Sequence, residues 1–423
     1  MTKPLISTIR IVIIFLSGSL SIARADSNGG SAYSRYGLGD VRYVTAGRGI
    51  GMAGAGLGAF SSFSTDPMNP AGWGKFTRAR FSATALYEGF SSDDGNDSRY
   101  LSRTNFNGFM LALPVSTDHG VVVSAGMTPY TRVNYDIITA STQAGLASTL
   151  RYIGEGGLST GHVGASVKLG SDLFVGSKFL YYFGSVSHTV RQSFSTTDLS
   201  DAEVRRSSRS SGFGFTFGAI YTGLKNVLNL DETESLQIGA MLTTTSYLST
   251  TNERIGTYTT GKTRTQDTTT GPEGKIRVPY SLATGIAFTT DRYVLAGDFY
   301  YQHWNDFTVD GAHPDEIRDS YRMAAGAELL AKRDPFAAFT QRMIYRFGLY
   351  YDASYYRIKG EPIHEWGFTA GIGMPIFQET RLTIGAEYGF RGTTAAQLQR
   401  DHILRISFSL NISEPWFVRP EEE

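Results

Sequence analysis

The chain has 423 residues, and its 39 basic and 39 acidic side chains leave no net charge, which argues against a nucleic-acid-binding surface. It contains no cysteine, which excludes disulfides and thiolate metal sites. The 48 glycines, 24 tyrosines and 26 phenylalanines give a glycine-rich and aromatic composition. Such a composition is typical of membrane β-barrels, in which only every second strand residue faces lipid.

The first residues have the organisation of a secretory signal peptide. A basic start is followed by an apolar run at residues 11–16 and by a small-x-small cleavage site that ends at Ala25. The apolar run is far shorter than the roughly 20 residues that a membrane-spanning helix needs. We therefore expect residues 1–25 to be a signal peptide rather than a retained anchor, with cleavage before Asp26.

Residues 26–75 are predicted to form a compact N-terminal plug, or hatch. The segment is rich in glycine and alanine from Gly47, and the spacing from Gly49 to Gly54 matches G-x-G-x-x-G, a feature of dinucleotide-binding βαβ units. The remaining chain offers almost no amphipathic helix, so we favour close packing of these glycines against a barrel wall. The hatch ends in a tight corner formed by Asn69, Pro70, Ala71 and Gly72.

Residues 76–413 alternate between apolar and polar side chains with a period of two, which is the pattern of β-strands. The apolar set is nearly free of charge, as expected of a face that contacts lipid. About fourteen such segments occur, joined by short turns and by long polar loops such as residues 193–209 and 252–271. The sequence thus predicts an all-β fold: a membrane-spanning antiparallel β-barrel of about 14 strands, with the plug inside and residues 414–423 as a periplasmic C-terminal tail.

One short motif raises the alternative of an enzyme. Residues 157–161 match G-x-S-x-G around Ser159, with His162 next to them. A nucleophile elbow needs a strand-to-helix turn that exposes its serine, whereas this stretch runs straight into a predicted strand. We therefore expect no catalytic residues, no cofactor and no metal site.

The glycine-rich plug with its Asn69–Gly72 corner, the strand count and the sequence from Gly126 to Pro129 resemble the FadL/TodX family of outer-membrane transporters for hydrophobic compounds. This resemblance implies capture of ligand outside, an apolar pocket in the lumen, and release sideways into the membrane at a kinked third strand. Proline cannot donate to a β-ladder, and a closed barrel has no edge, so Pro129 should interrupt strand pairing. We expect a lateral gate at Gly126 and Pro129, with a bulge at the rim as the alternative.

The candidate ligand-binding residues of the lumen share an inward position in the period-two pattern. The basic ones could contact a ligand carboxylate, or they could form ion pairs that hold the plug. The apolar and aromatic ones could form a pocket wall, or they could pack against the plug. These candidates are Lys178, Leu180, Tyr182, Tyr300, Trp304, Arg346 and Arg405.

The expected function is passive transport of hydrophobic compounds, such as long-chain fatty acids, across the bacterial outer membrane. The expected partners are a hydrophobic small molecule and outer-membrane lipid, with no nucleic acid. The alternative is a barrel of the same kind that serves in surface attachment or secretion and binds a surface or secretion-system protein. A general porin is a third class, but it needs an open lumen.

Overall fold

The computed structural model describes residues 29–415, except positions 45, 62, 67, 144–145, 195–200, 261–262, 333, 335 and 378. The predicted signal peptide and most of the predicted C-terminal tail lie outside the described residues. No helix in the described ranges is long and apolar enough to cross a membrane.

Within these ranges, 19 β-strands belong to one sheet. The first strands are β1 (Asp40–Val41), β2 (Ala79–Asp93), β3 (Ser98–Ser116), β4 (Val121–Pro129), β5 (Thr131–Gln143), β6 (Leu146–Leu169), β7 (Leu173–Phe194), β8 (Ala202–Tyr221) and β9 (Ser235–Thr243). The others are β10 (Ser246–Thr260), β11 (Thr263–Val278), β12 (Ser281–Thr289), β13 (Tyr293–Gln302), β14 (Thr308–Val309), β15 (Ser320–Leu329), β16 (Ile344–Ile358), β17 (Glu361–Phe377), β18 (Thr380–Gly392) and β19 (Arg400–Glu414).

The helices are all short. Among the described residues, two are α-helices, and the others are 3-10 helices of three to six residues. The α-helices are Gly47–Gly51 and Leu224–Leu228, and the 3-10 helices are Ala32–Arg35, Pro70–Lys75, Trp304–Asp306, Phe339–Arg342 and Ala395–Gln397.

The sheet is a closed antiparallel barrel. Each span pairs with the next, and β19 pairs with β2 to complete the circle. Three spans are interrupted, so that β4 and β5, β9 and β10, and β11 and β12 are each two halves of one span. With the two-residue strands β1 and β14 set aside, the barrel has fourteen spans, which confirms the predicted fold class.

Side chains alternate between the lumen and the outer surface. On β8, Phe213, Phe215 and Phe217 point outwards and are 59, 45 and 49% exposed, whereas Thr216 between them is 2% exposed. The same alternation recurs on β16, where Phe347 is 63% exposed. The outer surface therefore carries an apolar band of the kind that faces lipid in barrel proteins.

The polar segments predicted to be long loops instead continue the strands. β6, β7 and β8 contain 24, 22 and 20 residues, about twice the 9–11 that cross a bilayer. Threonine and other β-branched residues are abundant in these segments, and they favour extended structure although they are polar. The strands from β5 to β11 thus form a tall wall above one side of the barrel, at the end where β7 joins β8. We call this end the upper end.

Residues 29–76, the N-terminal segment, lie against the inner face of the barrel. An ideal Cβ atom built on the inward-facing Gly176 of β7 would lie 2.6 Å from the carbonyl carbon of Pro70. One built on Gly348 of β16 would lie 2.6 Å from the carbonyl carbon of Met52. Because these wall positions have no side chain, the backbone of the N-terminal segment contacts the wall directly.

Candidate functional site

The third span is interrupted directly after Pro129, which itself still pairs with Ser159 of β6. β4 ends at Pro129 and β5 begins at Thr131. β3 pairs with β4 only through residues 109–116, and among the described residues its upper part, 98–108, has no pairing with β5. The ladder between β3 and β4 ends at residues 109 and 127, shortly before Pro129, which has no N–H to donate, and pairing with β3 does not resume in the described part of β5. The wall therefore has a gap in its upper half.

Gly126 lies three residues before the break, where the wall is tightly packed. An ideal Cβ atom on Gly126 would lie 2.5 Å from the carbonyl oxygen of Phe109 and 2.7 Å from the ring of His162. A side chain at this position would push β4 away from its neighbours. Glycine thus lets the last paired part of β4 remain close to β3.

The N-terminal segment covers the gap on the side of β5. β1 is antiparallel to β5, with Asp40 opposite Arg132 and Val41 opposite Thr131. The next backbone N–H, that of Arg42, donates to the carbonyl of Tyr130 at 2.9 Å. The unpaired edge that Pro129 creates on β5 is therefore taken up by a short strand from inside the barrel.

A polar contact also crosses the gap. Arg99 of β3 donates to the carboxylate of Asp136 on β5 at 3.1 Å. Arg151 of β6 contacts the same carboxylate at 2.8 Å. The two edges are thus held by one shared acidic side chain rather than by backbone hydrogen bonds.

Buried ion pairs fix the N-terminal segment to β2, β18 and β19, on the other side of the gap from β5. Arg42 donates to Glu88 at 2.5 and 2.9 Å, and Asp40 accepts from Arg391 at 2.9 Å. Arg405, a predicted ligand-binding residue, contacts Glu88 at 3.2 Å and also bonds to Glu387. A polar cavity of about 70 Å³ lies among these groups. In this structure Arg405 is therefore part of the ion-pair network that holds the N-terminal segment.

Arg346 has a similar environment. It donates to Glu328 at 2.6 Å, and Arg48 of the short helix Gly47–Gly51 donates to the same carboxylate oxygen at 3.0 Å. The side chains of all three residues are at most 6% exposed. This pairing anchors the helix to β15 and β16, so the ion-pair interpretation describes Arg346 as well.

A second, more apolar cavity of about 160 Å³ lies between the N-terminal segment and the wall. Lys178, Leu180, Tyr182 and Tyr300 line it, as does Pro129 at the kink. The ammonium group of Lys178 donates to the carbonyl of Met68 at 2.9 Å. Four predicted lumen residues are therefore brought together, and their cavity reaches the interrupted strand.

Tyr130, which was not among the predicted lumen residues, links this cavity to the gap. Its ring lies 5.2 Å from that of Tyr182 in an edge-to-face arrangement, and its hydroxyl accepts from Gln302 at 3.1 Å. Its position directly after Pro129 is the signal that could have pointed to it.

Trp304 was predicted to face the lumen with these residues, and it does not line their cavity. β13 ends at Gln302, and Trp304 begins a 3-10 helix in which its ring stacks on Tyr355 at 4.4 Å. Trp304 is 0% exposed, and its buried cluster also contains Tyr182 and Tyr33 of the N-terminal segment, so it packs inside the barrel as an aromatic residue against that segment. Trp304 belongs to an apolar cluster with Phe307 and Tyr356.

The corner at Asn69 to Gly72 is built around the cap of the 3-10 helix Pro70–Lys75. The side-chain carbonyl of Asn69 accepts from the N–H of Ala71 at 3.1 Å, and its amide donates to the carbonyl of Leu57 at 2.9 Å. Pro70 occupies the first helical position, where its missing N–H costs no hydrogen bond. The corner is therefore a rigid element that contacts β7 and β8.

The residues weighed as catalytic lie in ordinary strand positions. Ser159 is within β6, not at a strand-to-helix turn, and the ring of His162 stacks on Trp73 at 6.0 Å. Within the described part of the chain, no group of three or more histidine, aspartate or glutamate side chains is arranged to hold a metal ion.

Solved structures with the same fold have low sequence identity to this chain. They include the CymD monoaromatic hydrocarbon channel, at 15% identity and a TM-score of 0.56, covering 90% of this chain and 99% of that chain. A FadL homologue from Pseudomonas aeruginosa has 15% identity and a TM-score of 0.56, covering 88% and 98%. The toluene transporter TodX from Pseudomonas putida has 15% identity and a TM-score of 0.55, covering 90% and 99%. The resemblance to the FadL/TodX barrels is therefore one of fold.

Two comparisons address the sequence itself. A search of curated proteins finds no match. The family model described as BamG matches residues 5–421, which is nearly the whole chain. The chain has the fold of the FadL-like barrels, and it belongs to the BamG family.

Proposed function

We propose that the protein is a bacterial outer-membrane channel through which hydrophobic compounds pass without an energy source. The observation that carries this proposal is the apolar cavity, which borders the interrupted strand at Pro129. The apolar outer band supports a membrane location, because such a surface faces lipid. Closure of the barrel supports it as well, since all backbone hydrogen bonds are then made between strands. The channels of the same fold described above, two of which are named for monoaromatic hydrocarbons or toluene, add support.

The size of the cavity bears on the ligand. A volume of about 160 Å³ is close to that of apolar cavities of about 150 Å³ that bind benzene in proteins. A compact hydrophobic compound with one ring therefore fits the closed arrangement. A long-chain fatty acid is much larger, and it would enter only after a shift of the corner at Asn69 to Gly72 and of the preceding residues.

The proposed exit is the gap between β3 and β5. Apolar burial at about 25 cal/mol per Å² would hold the compound beside Tyr130 and Tyr182. Separation of β1 from β5 would then open the gap to the surrounding lipid. Release is thus coupled to movement of the N-terminal segment, and Pro129 keeps β3 and β5 from forming a continuous ladder.

Filling the cavity tests the proposal. Met241 lines the cavity, and Met241→Trp should occupy much of its volume. Met323 points outwards from β15 and is 51% exposed, so Met323→Trp is the matched control. The measurement is uptake of labelled toluene and labelled palmitate by bacteria that lack other channels of this kind.

We expect uptake of both compounds to fall with Met241→Trp and to remain unchanged with Met323→Trp. Equal uptake by the two variants, at wild-type level, would contradict passage through the cavity. Purification of the wild-type barrel with a stoichiometric protein partner and no measurable uptake would instead favour the attachment or secretion alternative.

A further inference from the structure

Three basic side chains form a row across adjacent strands of the tall wall. His188 of β7 is opposite Arg206 of β8, and Arg206 is opposite Arg254 of β10. Directly opposed residues of an antiparallel pair have Cβ atoms about 4.5–5.5 Å apart. The row therefore places two guanidinium groups and one imidazole side by side on one face.

That face is continuous with the lumen. Lower on the same strands, the side chains of Ser210 and Thr250 meet on the inner face, with their hydroxyl oxygens 2.9 Å apart. Arg206 and Arg254 lie four residues away from them along β8 and β10, so they point to the same side. The row thus lies directly above the mouth of the barrel, on its inner side.

The two arginines of the row lack an anionic partner. On the outer face of the wall, by comparison, Arg191 is paired with Glu203 at 2.6 Å. In the described ranges, neither Arg206 nor Arg254 forms a hydrogen bond or an ion pair. Asp267 shares their face on β11 but makes no ion pair with Arg254. Like charges directly opposite each other destabilise a sheet, so an anion held between them would remove an unfavourable contact.

Further groups surround the row. The hydroxyl of Tyr135 lies 2.7 Å from the Nδ1 atom of His188, which fixes the imidazole. Arg35 of the N-terminal segment lies 5.8 Å from the ring of Tyr152 on β6. Tyr152 faces inwards, two positions from Gly154, which pairs with His188. Apolar residues share this face of β7 and β8, namely Val186, Val190 and Val204. The surface therefore offers cationic groups beside apolar side chains.

We propose that the row of His188, Arg206 and Arg254 binds the carboxylate of an amphiphilic hydrophobic compound above the mouth of the barrel. Guanidinium groups bind carboxylates through paired N–H donors, and the neighbouring valines contact the apolar part of the compound. This inference rests on the proposed function, because it identifies the headgroup of a compound that the barrel would pass.

The test compares two faces of the same strand. Arg206→Gln with Arg254→Gln removes the charges of the row. Arg205 and Arg209 alternate with Arg206 on β8 and point outwards, so Arg205→Gln with Arg209→Gln removes two charges from the opposite face. Binding of octanoate and of octanol to the purified full chain in non-ionic detergent is measured by calorimetry for the wild type and for both variants.

We expect the inner-face variant to bind octanoate about tenfold more weakly, as for the loss of one charge-assisted contact, and the outer-face variant to match the wild type. Octanol, which has no carboxylate, should bind equally to all three proteins. Equal weakening by the two variants, or equal weakening for octanol, would overturn the proposal. So would inorganic phosphate that displaces octanoate at the same concentration, because the site would then bind any oxyanion.

Uptake of toluene separates this inference from the proposed function. Toluene has no headgroup, so cells with the inner-face variant should take it up at the wild-type rate. If the wild-type protein binds octanoate at the row but cells do not take up toluene, the anion site is supported and the proposed channel function is contradicted. If cells take up toluene but the wild-type protein binds octanoate no better than octanol, carboxylate binding by the row is contradicted and the channel function is not.

Discussion

The guanidinium group of Arg42 donates two hydrogen bonds to the carboxylate of Glu88, at 2.5 and 2.9 Å. Arg42 directly follows β1, and Glu88 lies on β2, next to β3. The pair therefore holds the N-terminal segment to one side of the gap, while β1 holds it to β5 on the other. Both side chains are buried, at 8 and 1% exposure, so the contact is shielded from solvent.

Substitution of Arg42 should loosen the N-terminal segment. Loss of one partner of a buried ion pair leaves an uncompensated charge, and this typically costs about 3–5 kcal/mol. In Arg42→Gln, Glu88 keeps Arg405 at 3.2 Å, so we expect an effect at the lower end of that range. The measurement is the rate of proteolytic cleavage within residues 29–46 of the detergent-solubilised barrel, which should rise.

The matched control is an exposed pair of the same type. Arg191 contacts Glu203 at 2.6 Å, with side-chain exposures of 48 and 19%. Exposed pairs contribute about 0–1 kcal/mol, so Arg191→Gln should leave the cleavage rate unchanged. The same rate in both variants would show that the Arg42 pair does not retain the segment.

A disulfide between β1 and β5 should close the gap reversibly. The chain has no cysteine, so a pair introduced as Val41→Cys and Thr131→Cys can join only to itself. These residues are opposite each other, and antiparallel pairs have Cα separations of about 4.5–5.5 Å, within the range of disulfides. We expect oxidised protein to lose uptake of hydrophobic compounds and to regain it on reduction.

A disulfide within the wall provides the control for this lock. Thr84 of β2 and Ser409 of β19 face each other with their hydroxyl oxygens 2.6 Å apart. Thr84→Cys with Ser409→Cys would join two strands that are already fully paired, without restraining β1. Loss of uptake in this variant as well, or full uptake by the oxidised β1–β5 pair, would argue against a moving N-terminal segment.

Local sequence rules were sufficient for the wall of the barrel and for its interruption. Apolar and polar side chains alternate within each strand, as around Phe213 to Phe217. Counting the segments with this alternation gave the number of spans. Pro129 has no N–H to donate, so an interruption of its strand was expected from that residue, and β4 ends there. The inward positions of Leu180 and Tyr182 followed from the same alternation, because β7 continues without a break.

Long-range contacts could not be predicted in this way. Nothing near Asp40 and Val41 indicates that they pair with residues 131–132, because register between distant segments depends on the completed barrel. Polar composition alone favoured loops at residues 193–209, but neighbouring strands supply backbone partners that extend β7 and β8. The basic row was missed for the same reason, since Arg206 and Arg254 are far apart in sequence.

Close contact between the wall and the corner predicts a steric effect at Gly176. A Cβ atom there would lie 2.6 and 2.8 Å from backbone atoms of Pro70 and Ala71, which cannot rotate away. Gly176→Ala should therefore lower the free energy of unfolding by about 1–3 kcal/mol, as for overpacking. At Gly297 the nearest atom, the carbonyl oxygen of Ala324, is 3.9 Å away. Gly297→Ala should stay within about 0.5 kcal/mol in thermal unfolding, and equal shifts would contradict the contact.

Asp66 of the N-terminal segment should make stability depend on pH. Burial raises the pKa of its carboxyl above the ordinary value of 3.8, although the N–H of Met68 and the charges of Arg48 and Lys178 act in the opposite direction. A raised pKa means that the folded protein binds this proton more tightly than the unfolded chain does. Its stabilising effect is therefore complete below the ordinary pKa and is lost as the pH rises through the raised value.

Asp66→Asn removes this titration and keeps an oxygen that can accept from Met68, as Asp66 does at 2.9 Å. We expect the variant to be more stable than the wild type at neutral pH, because no charge is then enclosed, and the difference should shrink as the pH falls towards the ordinary value. The measurement is the thermal unfolding midpoint of both proteins from neutral to acidic pH. Other carboxylates titrate equally in the two proteins, so the difference between the midpoints isolates Asp66. A constant difference across the series would mean that Asp66 keeps an ordinary pKa in the folded barrel.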